Sequence, residues 1–214
     1  MGRNLLPLSC VLSFEGIWVG AMFEIDNQLV ERARAGDVDA FGELYQRTHR
    51  RIYQYIRQMV PIPEDAEDLM QEVYLRAWSG LKGLQANEAF WVWLHRIARN
   101  AVLDSRKRKQ LNSVSLESAF TDDEDSETEP VEVADWSGNP EQLVLSEATQ
   151  EAVRQAVRSL PESHREVVTM YYLEDMEIAE VAQILGLPKN TVLSRLARAR
   201  EALRRKLGYL VDGK

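Results

Sequence analysis

The sequence predicts an all-α protein: two small helical domains, a helical bundle and a helix-turn-helix, joined by an acidic flexible linker. Three observations carry that prediction. Apolar residues recur at helical spacing through 26–110 and again through 141–210. Between these stretches, 111–140 has no sustained period and is rich in Asp, Glu, Ser and Thr. Pro and Gly stand between the periodic runs, and no strand is needed anywhere.

The N-terminal segment 1–25 reads as a disordered extension. Leu5 to Phe14 is apolar after Arg3, but Glu15 interrupts a run too short to span a bilayer, and no small-residue cleavage site follows. Leu6 stands where a myristoylation motif requires Ser or Thr. Met22 is an alternative start to Met1. No stable membrane association is expected. The single cysteine, Cys10, excludes a disulfide within the chain, and three scattered histidines at 49, 95 and 164 argue against a zinc site. The chain reads as cytoplasmic.

In the first helical domain, 26–110, Leu29, Val30 and Ala33 recur at helix spacing until Gly36-Asp37 breaks the run. Phe41, Leu44, Tyr45, Ile52, Tyr53, Ile56 and Met59 continue an apolar face that Pro61 and Pro63 end. The spacing predicts a second helix over 65–78 with Leu69, Val73 and Ala77 inside, stopped by Gly80 and Gly83, and a third over 88–109. In the second domain, 141–210, Pro161 marks a helix start after Leu160. Met176 to Leu185, a Gly186-Leu187 turn and Pro188 to Leu207 make a helix-turn-helix pattern.

Charge decides between classes of partner. The net charge of −8 at first argues against nucleic acid, but the segment 111–140 alone holds nine Asp and Glu and no Lys or Arg. Outside it two stretches are strongly basic: 96–110, with six Lys and Arg against Asp104, and 187–207, with seven against Glu201. No nucleophile–base pair, Gly-rich phosphate loop or metal cluster points to an enzyme, and no cofactor is implied.

Three motifs carry chemistry. In the helix-turn-helix, Ala182 permits close helix approach, Gly186 suits a left-handed turn and Pro188 suits a helix start. The face opposite Val192 and Leu196 presents Lys189, Asn190, Thr191, Ser194, Arg195 and Arg198, a composition for base edges and phosphates in a major groove. The second motif, 65–78, sets Asp65, Asp68 and Glu72 on one helix face with Gln71 beside them. Such a stripe could bind a metal, cap a helix, dock a basic protein surface or simply be solvated. The third, 90–109, joins aromatics to a basic helix, as single-stranded DNA binding does. Trp93, beside Leu94 and four from Ile97, reads as core, and Trp91 as the stacking candidate.

These segments resemble the sigma-70 family, specifically its two-domain extracytoplasmic-function group. DAEDLMQEVYLRAW is similar to the family's polymerase-docking helix in region 2, and FWVWLHRIARNAVLDSRKRK to its promoter-melting and −10-reading helices. The stretch from LPESHREVV to ALRRKL is similar to region 4, which reads the −35 element. The resemblance implies that Asp65, Asp68, Gln71, Glu72 and Leu75 bind a basic coiled coil on the polymerase's largest subunit. It implies that a loop near Gly83 to Ala89 captures an unpaired −10 base, with Asn87, Trp91, Arg96, Arg99, Asn100, Arg106, Lys107 and Arg108 on the DNA. Further implied partners are the flap of the second-largest subunit, promoter DNA and an anti-sigma factor. The acidic linker would serve as a tether, as an RNA mimic in polymerase channels, or as a fold-back cover for the basic helices. A rival reading, a helix-turn-helix regulator dimerising on a palindrome without polymerase, leaves the first domain's motifs without a purpose.

Overall fold

The computed structural model describes residues 25–113 and 147–211, with side chains described for 25–110 and 151–207. The expected N-terminal extension and almost all of the acidic linker lie outside the described residues. The chain is all-α, no strand occurs among the described residues, and they fall into two compact units.

The first unit holds α1 (Asn27–Arg34), α2 (Val38–Met59), α3 (Pro63–Gly80) and α4 (Phe90–Ser113). Asp26 caps α1 by accepting from the Gln28 N–H, and Asp37 caps α2 by accepting from Ala40 at 3.0 Å. Gly36, at φ +101°, makes the reversal between them in a conformation that favours glycine. On α2 the buried residues Leu44, Thr48, Ile52, Ile56 and Met59 form one stripe against α3 and α4. Leu69, Val73 and Ala77 answer from α3, as do Leu94, Ala98, Ala101 and Val102 from α4. Each fully buried large apolar side chain contributes roughly 1.5–3 kcal/mol, so this three-helix seam is the domain's main source of stability. A buried polar link joins α2 to α3. The Thr48 hydroxyl donates to the Leu44 carbonyl at 2.7 Å, so the buried Tyr74 hydroxyl, 2.6 Å away, donates to Thr48. Burial pushes the Tyr74 phenol well above its ordinary pKa.

Two boundaries differ from the sequence expectation. Pro63 does not end α2 but opens α3, because a first-turn position needs no N–H donor. The third helix starts at Phe90 rather than Glu88. Ala86 is extended, and the Ala89 N–H bonds the Ala86 carbonyl at 3.2 Å, closing a 3₁₀ turn over Asn87–Ala89. A second such turn, Leu81–Gly83, ends the preceding helix.

The second unit holds α5 (Glu147–Arg158), α6 (Glu162–Val168), a π turn (Thr169–Leu173), α7 (Ile178–Leu185) and α8 (Lys189–Val211). Pro161 opens α6, its carbonyl accepting from Arg165 at 2.9 Å. After the π turn Asp175 takes φ +53°, a left-handed conformation that Asp tolerates better than most residues. The predicted helix from Met176 begins two residues later, at Ile178, because the Met176 N–H is drawn back to the Met170 carbonyl at 3.1 Å. Gly186, at φ +68°, makes the turn into α8, and the Ala182 carbonyl collects the N–H groups of Gly186 and Leu187. Val181, Ile184, Val192, Leu196, Ala199 and Leu203 are buried between α6, α7 and α8.

Candidate functional site

The acidic stripe of α3 divides in two. Asp68, Gln71 and Leu75 line its outer side, where Leu75 is 71% exposed although its aliphatic neighbours Leu69 and Val73 are buried. Asp65 and Glu72, seven residues apart, face the basic end of α4 instead. Lys109 pairs with Asp65, Arg108 reaches Glu72 at 3.2 Å, and Arg76 joins Glu72 to Asp104, at 3.2 Å from the latter. Of the three residues that spacing sets on one helix face, Asp68 is exposed while Asp65 and Glu72 turn toward α4. Glutamate and aspartate seven apart stack on one side of a helix, and here that side meets cations from the next helix.

The basic residues of α4 divide as well. Arg96, Asn100 and Lys107 are exposed on one stripe with half-exposed Arg99 beside them. Arg106 turns inward and donates to the Met59 carbonyl at 2.7 Å. That carbonyl lies in the last turn of α2, where carbonyls have no partner within the helix, so Arg106 acts as a cap. Three of the basic residues grouped by the sequence pattern, Arg106, Arg108 and Lys109, therefore bind the protein's own groups.

The two tryptophans exchange places. Trp91, expected to stack on DNA, is 8% exposed, and its ring meets buried His95 edge-on at a centroid distance of 4.3 Å. Trp93, expected to be core, is half-exposed and rests against Gly80, where an added Cβ would lie 3.3 Å from its ring. The signal that could have found it was present: Trp93, Arg96 and Asn100 follow at spacings of three and four, on one helix face. The α3–α4 loop is anchored by buried Leu81, Leu84 and Phe90, while Lys82, Gly83, Gln85, Ala86, Glu88 and Ala89 are exposed. Asn87 is half-buried, and its side-chain amide contacts α1.

In α8 the residues opposite the buried stripe are Asn190, Ser194 and Arg198, at four-residue spacing. Lys189 and Asn190 are exposed at the start of the helix, and half-buried Thr191 accepts from the Ser194 hydroxyl at 2.9 Å through its carbonyl. Arg195 flanks this surface half-buried, and Arg198 is exposed. Among the described residues no group of three or more His, Cys, Asp or Glu could hold a metal, and no helix is long and apolar enough to cross a membrane.

Comparison with known proteins matches the same two units. Residues 44–111 match the sigma-70 region 2 family and residues 150–203 the sigma-70 region 4 family. The chain is 32% identical to the ECF RNA polymerase sigma factor SigW of Bacillus subtilis over 83% of its own length and 94% of SigW. It is 33% identical to the ECF sigma-E factor of Escherichia coli K12, over 87% of this chain and 96% of that one. Among solved structures, CnrH in complex with the cytosolic domain of CnrY aligns with a TM-score of 0.62 at 24% identity, over 86% of this chain and 97% of CnrH. RpoE of Bartonella quintana, in complex with the anti-sigma factor NepR, also gives 0.62, at 19% identity over 80% of this chain and 98% of RpoE. These last two likenesses speak for the fold.

Proposed function

The chain belongs to the extracytoplasmic-function sigma factors of the sigma-70 family, and from that membership we propose how its surfaces divide the work of transcription initiation. The outer face of α3 docks core RNA polymerase. An exposed leucine between an aspartate and a glutamine suits a basic coiled coil on the largest subunit: Leu75 supplies apolar burial and Asp68 the complementary charge. Asp65 and Glu72 contribute from the flank of that face while tied to Lys109 and Arg108.

The exposed stripe Arg96, Arg99, Asn100 and Lys107 follows the −10 strand, with Trp93 rather than Trp91 offering a ring for stacking. The loop Gly83 to Ala89 captures an unpaired base. In region 4 the N-terminal half of α8 enters the −35 major groove through Asn190, Thr191, Ser194, Arg195 and Arg198, with Lys189 on phosphate. The same unit meets the flap of the second-largest subunit. Melting draws on captured bases and polymerase contacts, so the chain acts as a regulator and catalyses no reaction. It works in the cytoplasm, where its polymerase is. An anti-sigma factor restrains it, in line with the complexes in which CnrH and RpoE were solved.

The observation that carries this reading is the pairing of a helix-turn-helix in one unit with an exposed leucine–carboxylate face in the other. A regulator acting through the helix-turn-helix alone has no use for the second surface. Substituting Asp68→Lys together with Leu75→Ser tests it. Affinity for core polymerase falls at least tenfold, circular dichroism is unchanged, and Lys109 keeps its partner Asp65. Undiminished core binding refutes the docking assignment.

A further inference from the structure

The loop proposed to capture a −10 base has little structure of its own. Within it lie two 3₁₀ closures, Leu84 N–H to Leu81 and Ala89 N–H to Ala86, and a Gln85 amide contact to the Gly83 carbonyl at 3.2 Å. Buried Leu81, Leu84 and Phe90 hold its ends. Its middle is held from a distant part of the chain. Arg34 Nη1, on the last turn of α1, donates to Asn87 Oδ1 at 2.8 Å, and Asn87 Nδ2 donates to the Asn27 carbonyl at 3.3 Å. Asn27 Nδ2 in turn donates to Glu88 Oε1 at 3.4 Å.

The two contacts of the Asn87 amide have opposite polarity. Turning the amide over would set its NH₂ against the guanidinium and its oxygen against a carbonyl, so a single orientation is allowed. The Arg34 bond is charge-assisted and part-buried, hence the strongest link from the loop to its surroundings. The helix that carries it is seated in the domain core by Leu29, Val30 and Ala33, on the face next to Arg34. Half of the Asn87 amide's hydrogen-bonding capacity is thereby used inside the protein. Asn87 anchors the loop, and Gln85, Ala86 and Glu88 remain exposed around it.

We propose that Arg34 of α1 is a positioning residue for −10 recognition: by gripping the Asn87 amide it sets the loop that receives the unpaired base. Arg34 itself does not touch DNA. The proposal rests on the base-capture reading of this loop. Functional geometry of this kind requires placement to within about 0.5 Å, which two short 3₁₀ turns cannot supply alone.

The test uses the full chain with core polymerase and a promoter library randomised over the −10 element, read by sequencing of the transcripts. Arg34→Met keeps the length of the stem and its helix propensity but removes the donors. Selectivity at one −10 position falls roughly tenfold, while selectivity elsewhere, −35 preference and core affinity stay constant. Arg34→Lys restores part of the loss. Asn87→Ala produces the same profile, and the double substitution is no worse than either single one. A uniform loss across all positions, or additive effects of the two substitutions, overturns the positioning role. Replacing Gln85 and Glu88 by Ser separates the two levels of inference. If those changes alter the profile and Arg34→Met does not, the positioning role alone fails. If they leave the profile untouched, base capture by this loop fails and the proposal with it. Should Arg34→Met melt early, Asn87→Ala carries the same comparison from the loop side of the bond, outside the helices of the core.

Discussion

The helices α4 and α8 are close in length, 24 and 23 residues, and both end in a run of Lys and Arg, yet they use that charge differently. On α8 the residues opposite the buried stripe point outward at regular four-residue intervals. On α4 the charge is shared between the outside and the protein: Arg106 caps α2, and Arg108 and Lys109 pair with the carboxylates of α3. A basic run is therefore not a DNA face. Where helix ends and carboxylates of the same domain lie alongside, they draw part of its charge inward. α4 lies along such competitors because it packs lengthwise against α3 and near the end of α2. Exposed ion pairs of this kind are worth only roughly 0.2–1 kcal/mol each, so those on α4 orient the helix end more than they stabilise it.

The largest expected effect separates core from surface within α4. Trp91→Ala empties a buried aromatic site and costs about 3–5 kcal/mol of stability in the first unit, read as a lowered thermal midpoint. Trp93→Ala lowers the midpoint by clearly less and weakens open-complex formation by about 1–3 kcal/mol. If the two results are exchanged, α4 presents its opposite face to DNA.

The next comparison is between adjacent cations. Arg106→Ala removes a charged cap from α2 and costs about 1.5–3 kcal/mol of stability, with little change in the salt dependence of promoter binding. Lys107→Ala leaves stability alone and reduces the salt slope by about 1. Equal salt slopes for the two variants would mean that Arg106 leaves the Met59 carbonyl for phosphate when DNA binds.

The smallest effect lies on α8. Half-buried Arg195 presents its guanidinium in a restricted orientation, which suits bidentate reading of a base, while exposed Arg198 suits phosphate. Arg195→Ala therefore costs about 1–3 kcal/mol at one −35 position and relaxes selectivity there, whereas Arg198→Ala weakens all promoters alike. A uniform loss for Arg195→Ala would make α8 a phosphate-tracking helix like the outer stripe of α4.

The all-α class, the helix-turn-helix and the apolar faces of α1 to α3 are legible in the sequence, because each depends on neighbours within about one or two turns. Gly186 and Pro188 define their turn whatever else the chain does, and Leu69, Val73 and Ala77 share a face by helix geometry alone. Tertiary structure decided what each polar residue meets. Periodicity places Glu72 and Arg106 on a helix face, but not that Arg108 lies across from the first or the end of α2 beside the second. It equally could not reveal that Arg34 grips Asn87 across 53 residues, or that Trp91 turns in and Trp93 out. A hydrogen bond or ion pair depends on the position of two groups at once, and for groups far apart in sequence that position exists only after the helices have packed.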